Sequence, residues 1–180
     1  EAAHLVRHAD DGYRIPSPAE DDWDKTRAQL SPKPSDIKRL HSEMISGFWK
    51  PQPSYTLSDV KSFKAGLVID GREIDSGDLT FHLGFAEEGE DFTELASELR
   101  TRSQLERDSV FWAVPLDKAI DRESVELFRS REMESRKGRD ARTADETALI
   151  GEERARSRRH QSELQRLLRK ACLTGSAYFA

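Results

Sequence analysis

The run Val110-Phe111-Trp112-Ala113-Val114, closed by Pro115-Leu116, constrains this chain more than any other feature. An unbroken apolar run cannot sit on a solvated surface. It is also far shorter than the ~20 residues of a membrane-spanning helix, so it reads as a buried central strand. The residues before it supply neighbours. Leu67-Val68-Ile69 and Ile74 surround Asp70-Gly71, a favoured two-residue hairpin turn. Leu79, Phe81, Leu83 and Phe85 alternate with Thr80, His82 and Gly84, the pattern of a half-buried antiparallel strand. Asp91 followed by Glu94 resembles a capping box for a helix through Leu95 and Leu99. Strand, helix and strand in this order imply an α/β layer.

The segments on either side read as helical. Leu5-Val6 and Tyr13-Arg14-Ile15 flank Asp11-Gly12 and suggest a short hairpin, ended by Pro16 and Pro18. The acidic cluster Glu20-Asp21-Asp22 suits the positive end of a short helix carrying Trp23. After Pro32 and Pro34, Ser35 can cap a helix whose Ile37, Leu40, Met44, Ile45 and Phe48 recur with helical period. The stretch Lys50 to Ser62 reads as a connecting loop. Beyond Pro115, Ile120, Leu127 and Phe128 support one helix, interrupted at Lys137-Gly138-Arg139. Thr143 with Glu146 opens a second, through Leu149, Ile150, Leu164, Leu167, Leu168 and Ala171, which Gly175 ends. The pair reads as an antiparallel hairpin, packed on the sheet at its base and solvated at its tip.

The expected fold is therefore α+β or α/β: a small mixed sheet with flanking helices, an N-terminal helical unit open to a winged-helix arrangement, and a protruding antiparallel helical hairpin. Three segments are expected. Residues 1–62 form the N-terminal helical unit with short strands, 63–116 the small α/β sheet region, and 117–180 the helical arm returning to a final strand.

Composition narrows the function classes. Of 180 residues, 35% are charged and 36% hydrophobic, which points to extensive solvated helix. The single cysteine, Cys172, allows no internal disulfide, and a cytoplasmic setting is expected. The first residue is Glu1 and the last stretch is the apolar Ala177-Tyr178-Phe179-Ala180, so the chain is expected to be an internal piece of a longer protein.

Motifs for chemistry are scarce. The sequence holds no Gly-x-x-x-x-Gly-Lys-Ser/Thr loop, Gly-x-Ser-x-Gly elbow, Cys-x-x-Cys pair or His-Glu-x-x-His helix. No catalytic residue, cofactor site or metal site is assigned. His4 and His8 are spaced i, i+4 without an obvious third ligand, and His82 could act as an acid or base only beside a carboxylate that the sequence does not identify. Trp49 and Trp112 read as core anchors rather than base-stacking platforms.

The net charge of −5 conceals an asymmetry. Arg131 to Lys170 holds twelve basic and eight acidic residues, a net of +4 against −9 elsewhere. Within it, Arg136, Lys137, Arg139, Arg154, Arg156, Arg158 and Arg159 are the candidate contacts to a partner or to nucleic-acid phosphates. Glu152, Glu153 and Asp140 lie among them, which favours a solvated, self-paired face.

The order of several patterns is informative in itself. Asp11-Gly12-Tyr13-Arg14-Ile15 leads to the acidic stretch and Trp23, then Val110-Phe111-Trp112-Ala113-Val114-Pro115-Leu116. Phe128-Arg129-Ser130-Arg131-Glu132-Met133 and Gly175-Ser176-Ala177-Tyr178-Phe179 follow. This series resembles the middle of the BrxC/PglY proteins, the large P-loop ATPases of BREX (phage-growth-limitation) bacteriophage-defence systems. The resemblance spans nearly the whole chain and rests on packing patterns. It implies a region downstream of the ATPase module, a nucleotide site upstream of this chain, and no family active-site residue within it. It also implies a role in phage resistance beside a DNA methyltransferase and a phosphatase-like protein. The partners expected are the rest of the parent ATPase and other defence proteins. Contact with DNA and self-association are left open, and no membrane partner is expected.

Overall fold

The computed structural model describes residues 7–9 and 12–14 as backbone, and 17–138 and 143–180 with their side chains. Leu5, Val6, Asp11, Ile15 and Pro16, cited above for an N-terminal hairpin, lie outside the described residues. Around them β1 (Arg7–Ala9) pairs antiparallel with β2 (Gly12–Arg14), and Ala9 faces Gly12. Gly12 is thus a paired strand residue and not part of the turn. Helix α1 (Pro18–Ala28) opens with Ser17 and Glu20 in a reciprocal capping box. Helix α2 (Pro34–Phe48) begins one residue before the expected Ser35 cap. Pro34 takes the first position, where its missing N–H costs nothing, and the Asp36 carboxylate accepts from the Lys33 N–H at 3.1 Å.

The sheet is mixed. Its strands are β3 (Ser54–Leu57), β4 (Lys61–Ile69), β5 (Arg72–Asp75), β6 (Leu79–Glu87), β7 (Ser109–Leu116) and β8 (Ser176–Tyr178). Their order is β3-β4-β6-β7-β8, and β5 also pairs with β4. Residues 54–57, expected as loop, are strand. The Asp70-Gly71 turn forms as expected, with φ of 46° and 78°. β6, however, is parallel to both β4 and β7 and not antiparallel. Its alternation misleads for a packing reason. The face bearing Gly84 is covered by helix α3 (Glu90–Ser103), and a Cβ at Gly84 would lie 3.0 Å from Leu95. The small residue there admits a helix, not water. Helix α3 starts after Gly89, so Asp91 sits inside its first turn and does not cap it.

The parallel arrangement requires the chain to pass from β5, on one edge of β4, to β6 on the other. It does so where Gly66 and Gly77 meet. A Cβ on Gly77 would lie 2.2 Å from the Gly66 nitrogen and 2.5 Å from the Lys64 carbonyl oxygen, and one on Gly66 would lie 2.8 Å from the Gly77 nitrogen. Both contacts are backbone and cannot swing aside. Gly77→Ala is therefore expected to destabilise by about 1–3 kcal/mol in chemical denaturation, whereas Gly47→Ala, with open space around it, should not.

Helix α4 (Lys118–Lys137) and helix α5 (Ala144–Thr174) form the antiparallel hairpin, and Thr143 with Glu146 caps α5 as expected. β7 is central, lying between β6 and β8. Its Phe111 and Ala113 pack with Leu99 of α3 on one face. Val114 packs on the other with Leu40 and Met44 of α2, Ile120 and Leu127 of α4, and Leu164 and Leu168 of α5. The boundary drawn at 62/63 falls within β4, and this second core joins residues from all three expected segments. Toward the far end of the hairpin, Met133, Leu149 and Ile150 stay buried because α1 covers them with Trp23. No described helix is long and apolar enough to cross a membrane.

Candidate binding cleft at the carboxyl ends of the parallel strands

β4 ends just before Asp70, with Ile69 level with Leu83 of β6, while β6 and β7 run on together to Glu87-Glu88 and Leu116-Asp117. Asp70, Glu87, Glu88, Leu116 and Asp117 line a cleft of about 940 Å³. In open α/β sheets this is the end at which ligands bind, because the backbone fans out there and the connecting segments diverge. Its walls are the N-terminal halves of α2 (Ile37, Lys38, His41) and α4 (Lys118, Ile120, Asp121, Val125), with Phe85 and Leu116 between them. The sequence placed no functional residue here.

His41 is the chemically distinctive side chain. It lies on the apolar face of α2, is 4% exposed, and its Nε2 is 2.8 Å from Ser124 Oγ. The Ser124 hydroxyl is fully buried and donates its single proton to the Ile120 carbonyl at 2.7 Å. With the proton placed on that carbonyl, the contact with His41 is made by Nε2–H donating to Oγ, and Nδ1 is the ring's acceptor. Burial pushes the His41 pKa down to about 4, against the weaker pull of the nearby Asp121 carboxylate, so the ring is neutral at pH 7.

The other polar groups are ordered by their neighbours. Asp70, at the turn after β4, has its carboxyl pushed up by burial, offset by Lys38 at 3.9 Å and by the Phe85 backbone N–H. Asp117 caps α4 by accepting from the Ile120 N–H at 2.8 Å. Arg129 is committed elsewhere, donating to the Leu30 carbonyl at 3.0 Å and to Glu126 at 2.8 Å. Among the described residues no three His, Cys, Asp or Glu side chains lie close enough to hold a metal ion.

Of the six described basic residues singled out from sequence, four are paired with the chain's own carboxylates. Arg136 pairs with Glu132 at 2.7 Å, Lys137 with Asp22 at 3.4 Å and Arg154 with Glu134 at 3.8 Å. Arg156 pairs with Glu152 and Glu153. Arg158 and Arg159 are exposed, the latter 3.5 Å from His160. Arg139 and Asp140 lie outside the described residues. At ~100° per residue, Arg154 and Arg158 share one side of α5, while Arg156 and Arg159 turn away from it.

His82 stacks on Phe111 at 4.6 Å, and its Nε2 is 4.0 Å from Glu106, a carboxylate that is 43% exposed. Burial holds His82 below its ordinary pKa, and no buried carboxylate partner accompanies it among the described residues. Trp49 meets Phe81 edge-on at 5.5 Å and Trp112 lies against the main core, as core anchors should. Their indole N–H groups are buried without a hydrogen-bond partner among the described residues. Burial raises the Cys172 thiol to about 11, so it stays protonated. His4 lies outside the described residues, and the backbone of His8 is strand rather than helix.

Comparison with protein-family models, with curated proteins and with solved structures returns no match to this chain.

Proposed function

We propose that this chain is a non-catalytic interaction or scaffold segment of a larger bacterial phage-defence ATPase of the BREX type, and that it engages its ligand or partner through the cleft at the carboxyl ends of β4, β6 and β7. One observation carries the binding half of this reading. The His41–Ser124 pair is buried and held by its neighbours: the hydroxyl lies within hydrogen-bond reach of both the Ile120 carbonyl and His41 Nε2, and burial keeps the imidazole neutral. A buried polar pair fixed at the wall of a cleft with an apolar floor supports reading that cleft as a recognition site. The parent assignment is supported by the order of sequence patterns from Asp11 to Phe179. Reading the flanking genomic sequence tests it. An in-frame upstream Gly-x-x-x-x-Gly-Lys-Ser/Thr loop beside a methyltransferase gene is expected, and a frame with neither would overturn it.

The alternative, a DNA-contacting arm, is weakened by the ion pairs that occupy Arg136, Lys137, Arg154 and Arg156. A phosphate-reading arm loses affinity steeply with salt, by a log–log slope near −0.9 per phosphate neutralised. Duplex DNA retained on a filter across a salt series should show no such slope here. Changing Arg154, Arg156, Arg158 and Arg159 together to Ala should leave the series unaltered.

A further inference from the structure

We propose that the cleft recognises a guanidinium or primary ammonium group carried on an apolar body. The inference rests on reading the cleft as a binding site and adds the chemical class of what it takes. The first ground is the sense of its hydrogen bonds. With Nε2–H given to Ser124, the second ring nitrogen of His41 can only accept, and it has no partner among the described residues. Asp121, one helical turn from the Asp117 cap and close enough to act on the His41 charge, likewise has no ion-pair partner among the described residues. An acceptor nitrogen and an open carboxylate on residues lining one cleft call for a ligand that donates.

Charge points the same way. Five carboxylates line the cleft against three cations. Of those cations, Lys38 is 3.9 Å from Asp70 and Arg129 is spent on Glu126 and the Leu30 carbonyl, so Lys118 alone remains. The rival class is an anion drawn to the N-termini of α2 and α4. It fares worse, because the chain's own Asp36 and Asp117 carboxylates already sit at those ends. A metal ion is disfavoured because the donors do not converge in threes among the described residues. The floor formed by Ile37, Phe85, Leu116 and Ile120 is apolar, which suits a hydrocarbon body behind the cationic head.

Two sources present this chemistry: a free organic cation, or an arginine or lysine side chain of a polypeptide. Titration of the isotope-labelled chain, followed by amide and imidazole NMR, separates them. The probes are agmatine, an acetyl-Leu-Arg-Leu-amide peptide and inorganic phosphate. The expected result is saturable shifts at His41, Asp121 and Phe85 with a cationic probe, weakened about tenfold by Asp121→Asn, an exposed change that leaves the fold intact. Agmatine binding as tightly as the peptide supports the proposal with a free cation as ligand. A peptide at least tenfold tighter supports it with a polypeptide side chain. Shifts caused by phosphate and not by the cations would overturn the cationic class while leaving a binding cleft. No saturable shift with any probe would overturn both.

Discussion

Replacing Glu153 with Ala should destabilise the protein by about 3–5 kcal/mol, the cost of removing one partner from a buried charge network. Glu153 is fully buried on α5. One oxygen accepts from Ser130 Oγ at 2.6 Å and from Arg27 Nε at 3.0 Å. The other accepts from Trp23 Nε1 at 3.1 Å and from Arg156 Nη1 at 3.3 Å. Burial pushes its carboxyl up, but the bonds from Ser130, Trp23 and Arg27 together outweigh this and hold it below the ordinary carboxylate value. Deleting the carboxylate strands the Arg27 guanidinium with only Glu126, at 2.7 Å, to compensate it, and leaves the Trp23 indole N–H unpaired. These contacts tie α1 to the helical hairpin, so Trp23 fluorescence should report early release of α1. Arg156→Ala, which removes only the partly exposed member, should cost no more than about 1 kcal/mol. A Glu153→Ala loss of that same size in urea denaturation would contradict the assignment.

The second large effect is a dependence of stability on pH that belongs to His41. Its folded pKa, about 4, lies below the ordinary 6.5, so the unfolded chain binds the proton more readily. The contribution is fully present above pH 6.5, shrinks as pH falls, and is gone below about 4. Over that window it amounts to about 3 kcal/mol, at ~1.4 kcal/mol per pKa unit. His82 is also held below its ordinary value and shares part of the window, while Asp70, held above its own, works in the opposite sense. The carboxylates Glu126 and Glu153, both held below their ordinary value, are lost only in stronger acid. The difference between wild type and His41→Gln therefore isolates His41, because glutamine can still donate to Ser124 but does not titrate. Denaturation midpoints of the two proteins should converge between pH 6.5 and 4. Parallel curves across that range would show that His41 is not held neutral by the fold.

Which parts of this fold were legible in the sequence follows from where the information lies. The Val110–Val114 run needed no partner to declare itself central, and the Asp70-Gly71 turn is a local matter of two residues that accept positive φ. The Thr143–Glu146 cap and the α4–α5 hairpin were equally local. β6 was misread because alternation reports only that one face is less apolar. It does not say whether water or a close-packed helix meets that face, and Gly84 against Leu95 is the latter case. The crossing at Gly66 and Gly77 is a contact between distant backbone segments, invisible to any window of sequence.

The cleft was missed for the same reason. His41 stands between Leu40 and Met44 on an amphipathic helix and resembles any buried histidine, and Ser124 is one of three serines on a polar-looking helix. Only their meeting, 83 positions apart, makes a fixed acceptor. The charged arm drew attention because charge is conspicuous in sequence. Its acidic neighbours, visible in the same window, signalled the self-pairing that the ion pairs display.

The claim at the centre of this account is that Ser124 holds His41 as a neutral ring with Nε2 as the donor and Nδ1 as the acceptor. Long-range proton–nitrogen correlation NMR of the histidine rings measures this directly. The account predicts, at pH 7 and still at pH 5.5, a protonated Nε2 and a bare Nδ1 for His41, collapsing to a tautomer mixture in Ser124→Ala. A protonated Nδ1 in the wild type, or an imidazolium at pH 5.5, would contradict it.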